Sequence, residues 1–147
     1  MENQTEKLLW EIYKEAQGGC ETVCGITPRI HNRRLLAETA RQMEMYSDCT
    51  NRAEQMLQDK NLGSVTFSAL DRISLRGGVW LETMDMHDAA AIADFLQNNF
   101  RASAARMRNT VDRFSYTDCD ADALALGRRL SAAEAAEAEA LRRLSIQ

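Results

Sequence analysis

Two carboxylates three residues apart, Glu134 and Glu137, are the side chains of this 147-residue sequence best spaced to do chemistry. Continuing the spacing of Leu130, Leu141 and Leu144 lands on both glutamates, one helical turn apart on or near an inward face. A carboxylate buried without a partner is costly, so such a group pairs, takes up a proton or binds something. A rotated helix is the alternative, in which Ala133, Ala136 and Ala140 form the inward stripe and the glutamates sit at its edge. A second polar interruption lies in the stripe Leu36, Thr39, Met43, Tyr46, Thr50, Ala53, Leu57, whose midpoint is Tyr46, with Gln42 one turn away. Gln42, Tyr46, Glu134 and Glu137 are therefore the candidate polar axis, with Glu134 the partner expected for the Tyr46 hydroxyl.

Other reactive patterns fail on spacing. Asp118, Asp120 and Asp122 alternate like the start of a calcium loop, but the sixth position is Ala123 and the twelfth Arg129, where that loop needs glycine and a bidentate glutamate. They read as helix caps and partners of a helix dipole. Cys20 and Cys24 share a helix face and Cys49 and Cys119 stand alone, which reads as free thiols rather than a zinc cluster, with Cys119 in a loop. His31 and His87 fall at helix ends, beside no serine or cysteine that they could activate, and no glycine-rich phosphate loop is present. No catalytic residue, metal or cofactor is assigned.

One proline and seven glycines across five amphipathic segments exclude a sheet protein and specify an all-α chain. Helix one runs from about Gln4 toward Gly25–Ile30, where Pro28 ends it, and its inward face holds Leu9, Ile12, Tyr13, Ala16, Gly19, Cys20, Val23 and Ile26. Gly18 and Gly19 each cost about 1 kcal/mol of helix propensity, which close approach of a neighbour would offset. Helix two begins at an Asn32 cap and ends near Asn61, with Gly63 to turn the chain. An antiparallel hairpin folded near residue 31 sets Ala16 opposite Tyr46 and Gly19 opposite Met43. Helix three is expected over Val65–Thr83, continuous through Gly77 and Gly78, with Phe67, Leu70, Ile73, Gly77, Trp80, Leu81 and Met84 inward. Helix four follows from Asp88 to about Phe114, with Ile92, Leu96, Phe100, Met107, Val111 and Phe114 inward. Helix five runs from about Ala121 to Leu144.

Two helical hairpins joined by a crossing helix, with glutamates on inner faces, resemble a ferritin-like up-down bundle. That resemblance implies a dimetal centre of glutamates and two Glu-x-x-His pairs. This sequence departs from it, because Glu38, Glu44 and Glu134 are followed at that spacing by Arg41, Ser47 and Glu137. The segment LWEIYKEAQGG (Leu9–Gly19), with Gln42 and Tyr46, resembles small uncharacterised bacterial helical-bundle proteins, which implies a fold and no activity.

Hydrophobic residues at 45% and charged residues at 27% fit one domain over residues 1–147 with a core of its own. The net charge of −4 and the diluted arginine pairs give no basic face for nucleic acid. No apolar run reaches a membrane span and the start lacks a signal-peptide pattern, so a cytoplasmic location is expected. The leading functional expectation is a non-enzymatic bundle acting by self-association, as a homodimer, or by protein binding, because Leu8, Trp10 and the outer side of helix three offer surplus apolar surface. The alternative is metal or small-ligand binding by carboxylates at the bundle centre.

Overall fold

In a computed structural model, the structure describes residues 3–64 and 69–144, apart from the side chains of residues 69, 70 and 73. Five α-helices and one 3₁₀ turn make up the described chain: α1 (Gln4–Ile26), the turn Thr27–Arg29, α2 (Arg33–Asp59), α3 (Ala69–Thr83), α4 (Ala89–Phe114) and α5 (Ala121–Arg143). No strand is present among the described residues.

Local chemistry sets the boundaries. The Asn3, Asn32 and Asp88 side chains accept from the backbone N–H groups of Glu6, Leu35 and Ala91, which satisfies orphan donors at three helix starts. Pro28 sits inside the 3₁₀ turn, where its missing N–H costs nothing. Past α2 the chain turns on Asn61, in the left-handed region at φ 56°, rather than on Gly63. The Gly63 carbonyl instead accepts from Trp10 Nε1 at 3.0 Å. Asp120 begins α5 without a side-chain cap bond; it and Asp122 both receive Lys60 Nζ at 2.9 Å, which ties the start of α5 to the end of α2.

The closest-packed partners are α1 with α2 and α4 with α5, two antiparallel hairpins, and α3 bridges them in sequence while lying on α1. The α1–α2 hairpin forms as expected but is shifted by about one turn: Tyr46 stands against Gly19, not Ala16. Between the hairpins, α2 and α5 run antiparallel, with Lys60 beside Asp120, Tyr46 on Glu134 and Arg41 on Glu137. The core draws Leu8, Leu9 and Ile12 from α1, Leu35, Tyr46 and Leu57 from α2, Leu96, Phe100 and Met107 from α4, and Leu126, Leu130 and Leu141 from α5. All six inward residues expected in α4 are buried.

Three expected faces are corrected. Leu8 is fully buried and belongs to the core, so it adds nothing to an outer apolar surface, and Trp10 is only partly exposed. In α2 the stripe begins at Leu35, with Leu36 41% exposed, because the helix is rotated so that Gln42 rather than Met43 lies on the axis. The largest rotation is in α3. Its Val79 and Thr83 are buried toward α1, while Trp80, Leu81 and Met84 are 53%, 65% and 46% exposed. Buried Glu21 of α1 accounts for this rotation, since it draws Arg76 Nε to 2.6 Å and Arg72 Nε to 3.6 Å and thereby holds the Arg72–Arg76–Val79–Thr83 side of α3 inward. The expectations at Val65 to Ser68, Phe67 included, and those for the side chains of Leu70 and Ile73 lie outside the described residues.

Candidate polar site at the bundle axis

The α2–α5 seam brings together all four sequence-selected residues. Gln42 and Glu134 are fully buried, Tyr46 is 1% exposed and Glu137 5%. Of the two faces open to α5, the glutamate face is the inward one; Ala136 is exposed and Ala133 and Ala140 are half-buried.

Tyr46 is positioned from three sides. Its hydroxyl donates to Glu134 Oε2 at 2.7 Å. Its ring stacks on Phe100 of α4, with centroids 5.8 Å apart and planes 9° from parallel. On the α1 side a Cβ built on Gly19 would lie 2.3 Å from Tyr46 Cζ, so only glycine leaves room for the ring. The glycine in α1 and the tyrosine in α2 are one packing unit.

Burial sets the electrostatics. It pushes the Glu134 carboxyl up to about 8, opposed by the Tyr46 hydrogen bond; the Glu15 charge raises it further and Arg106 lowers it. The same burial, reinforced by Glu134, holds the Tyr46 phenol well above its ordinary value. Cys49, one turn along α2, is pushed up to about 12 by burial and then by Glu134, so it stays a thiol and not a nucleophile. One rung away, Arg41 Nη1 donates to Glu137 Oε1 at 2.5 Å and Arg41 also reaches Glu38. Burial still raises the Glu137 carboxyl, against the pull of Arg41 and a weaker hydrogen bond from Gln42.

Glu134 Oε1, Glu137 Oε2 and both amide atoms of Gln42 are buried without a well-formed hydrogen bond, although the Gln42 amide lies near enough to Glu137 to lower its carboxyl. Such atoms are rare in folded proteins. Two carboxylates and one amide are the whole donor set of the seam, and no group of three or more His, Cys, Asp or Glu side chains converges anywhere among the described residues. Arg106 donates to Ser103 Oγ and Glu15 Oε1, both at 2.9 Å, and acts on Glu134 through its charge alone. His87 is exposed beside the Asp88 cap.

A cleft of about 650 Å³ opens between α1, α3 and α4. Lys14 and Glu15 line it from α1, Arg106 from α4, Asp71 and Glu82 from α3, and Gly18, Gly19 and Gly78 leave it open. Gly19, Thr22 and Asn99 also bound a void of about 10 Å³ against Tyr46 and Phe100, so the inner end of the cleft lies behind the polar axis.

Sequence reasoning missed Arg41 and Glu21. Arg41 precedes Gln42 and looks like one more surface arginine; only the partner helix shows that it neutralises Glu137. Glu21 sits off the apolar stripe of α1, and the one sequence signal for its burial is the pair Arg72 and Arg76, four apart on one face of α3. No helix among the described residues is long and apolar enough to cross a membrane. Comparison of the chain with protein-family models, with curated proteins and with solved structures finds no match.

Proposed function

We propose that this protein is a non-enzymatic, ferritin-like helical bundle that acts by pairing with a second copy of itself through the outer face of α3. The observation that carries this reading is the stripe Gly77, Trp80, Leu81 and Met84, spaced i, i+3, i+4, i+7, whose own residues are uncharged and whose large side chains are about half exposed, with the Arg29 guanidinium 5.2 Å from the Trp80 ring centre. It is the face that apolar periodicity marks for burial, and within one chain it stays exposed. Gly77 has no atom within 4 Å of a built Cβ, which leaves the backbone free for close approach. The stripe's own residues are uncharged, and the Arg29 guanidinium over Trp80 is already held by the Trp80 and Thr83 carbonyls, which supports a second copy meeting the stripe across a two-fold axis. Its organisation as two antiparallel hairpins joined in sequence by α3 supports the ferritin-like arrangement, and a cytoplasmic location belongs to the same reading.

Light scattering across a concentration series tests this. A dimer that Trp80→Glu with Leu81→Glu converts to a folded monomer is the expected result. A native chain that stays monomeric at its highest soluble concentration overturns it.

The cleft favours a second reading, small-ligand binding behind the bundle centre. Gly18 meets only Leu75 Cδ2 at 3.8 Å and Gly78 meets nothing, so packing requires neither glycine, and both keep the cleft open. Lys14 of α1 and Glu82 of α3 line the cleft, while Arg106 of α4 is already paired with Glu15 of α1, so a small zwitterion would meet one group of each sign. A thermal shift with zwitterionic amino acids that Gly78→Leu abolishes is expected; no shift across such a panel removes this reading.

A further inference from the structure

We propose that Cys20 and Cys24 of α1, with Met43 of α2, form a binding site for one monovalent copper ion held by sulfur alone. The site follows from the register of the α1–α2 hairpin. Tyr46 stands against Gly19, so the next residue of α2, Ser47, falls beside Cys20, and the Ser47 side chain hydrogen-bonds that thiol. Because α2 runs antiparallel to α1, Met43, one turn before Ser47, is level with Cys24, one turn after Cys20. All three sulfur side chains are half-buried, and Cys20 and Met43 pack against the margin of the core. Three soft donors thus share the outer edge of one seam, where an ion can enter from solvent.

The spacing of the two cysteines favours an ion over a bond between them. Residues four apart on a helix have Cβ atoms about 5–6 Å apart, wider than the roughly 3.5–4.5 Å of a disulfide. Cys20 and Cys24 therefore cannot close a disulfide without moving the backbone of α1, whereas two metal–thiolate bonds of about 2.3 Å bridge sulfurs at that spacing. The two thiols are close enough that the charge of Cys24 raises Cys20, which burial raises first.

Two thiolates and a thioether are the ligands that select Cu(I) among biological metals. Zinc would lack part of its four-ligand shell, since a thioether is not one of its ligands and the carboxylate nearest in sequence, Glu21, is held by Arg72, Arg76 and Gln17. Binding replaces the two thiol protons, which pass to solvent, so the two thiolates and one Cu(I) carry a net single negative charge. Arg76 supplies the countercharge: its guanidinium is favoured by the charge of Cys24 and of Cys20, and its bond to Glu21 at 2.6 Å holds it at the cysteine-bearing end of α1.

Anaerobic titration of the reduced chain with Cu(I) against a chromophoric Cu(I) chelator tests affinity and stoichiometry, and X-ray absorption at the copper edge counts the ligands. One Cu(I) per chain with three sulfur neighbours is the expected result. Cys24→Ser, close to isosteric, should weaken binding on the order of a hundredfold, and Met43→Leu, which conserves volume, about tenfold with the loss of one sulfur neighbour. Cys119→Ser should change neither, and circular dichroism shows that each variant is folded. A chelator that removes all the copper overturns the proposal, as do nitrogen or oxygen neighbours in place of sulfur. So does a folded Cys24→Ser that binds as tightly as the native chain, or a three-sulfur shell that survives Met43→Leu.

Discussion

Replacing Gly19 and Gly18 one at a time by alanine should move stability in opposite directions, although the two residues are neighbours in the same helix. At Gly19 the new Cβ would lie 2.3, 2.6 and 2.7 Å from Cζ, Cε2 and Cε1 of Tyr46. The ring has nowhere to retreat, because Phe100 is stacked on it and Glu134 holds its hydroxyl at 2.7 Å. Overpacking of a well-filled core costs about 1–3 kcal/mol, and an overlap of more than 1 Å against a pinned ring belongs at or above the upper end. Alanine regains about 1 kcal/mol of helix propensity, and α1 has no glycine at positive φ, so the backbone accepts it. The expected net loss is about 2 kcal/mol, roughly a thirtyfold fall in the folding equilibrium constant. At Gly18 the added methyl meets Leu75 Cδ2 at 3.8 Å, an ordinary contact, so the propensity term stands alone and the variant gains about 0.5–1 kcal/mol. Urea midpoints at unchanged m-values read both. If Gly19→Ala proves as stable as the native chain, Tyr46 is not locked as described. A double-mutant cycle separates the clash from propensity: combined with Tyr46→Ala, which alone costs about 3–5 kcal/mol, Gly19→Ala should become neutral or favourable.

The buried carboxyl makes stability depend on pH. The native Glu134 titrates near 8 against an ordinary value of 4.5, so the folded state holds a proton that the unfolded chain releases. Its contribution is fully present below about pH 4.5 and is lost as the pH rises to about 8, a fall on the order of 3–5 kcal/mol. Urea titrations at pH 5, 7 and 9 should show that fall in the native chain and a flatter profile in Glu134→Gln; parallel profiles would refute it. Tyr46→Phe keeps the ring but strands Glu134 Oε2, for an expected loss of about 1–3 kcal/mol by the same assay, and a neutral result would show that the hydroxyl bond contributes little. Gly127→Ala drives a Cβ to 2.5 Å from Val111 Cγ2 on the stiff β-branched side chain and should cost about 1–2 kcal/mol net, whereas a stabilised variant would show that α4 and α5 can separate. Glu21→Ala removes the anchor of Arg72 and Arg76, so limited proteolysis should cut α3 faster while the urea midpoint of the remaining bundle moves little; unchanged cleavage would place the anchor elsewhere.

Periodicity and end signals determined by themselves the helices and their order, because both are local. Asn32 and Asp88 start their helices where short polar side chains can accept from the first turn, and Pro28 falls where a helix cannot continue. Glu134 was legible as the first partner to look for at the Tyr46 hydroxyl, but spacing left open the rotation of α5 in which Ala133, Ala136 and Ala140 face inward. Rotation about each helix axis was not legible. In α3 an apolar stripe and a stripe of Arg72, Arg76, Val79 and Thr83 compete for the same neighbour, and a charge buried on another helix, Glu21, decides for the second. In α2 a rotation of a few tens of degrees replaces Met43 by Gln42 on the axis and exposes Leu36. The one-turn shift that sets Tyr46 against Gly19 rather than Ala16 has the same origin. Spacing within a helix reports which residues share a face, but only the shapes and charges of the other helices choose which face turns inward and at what height.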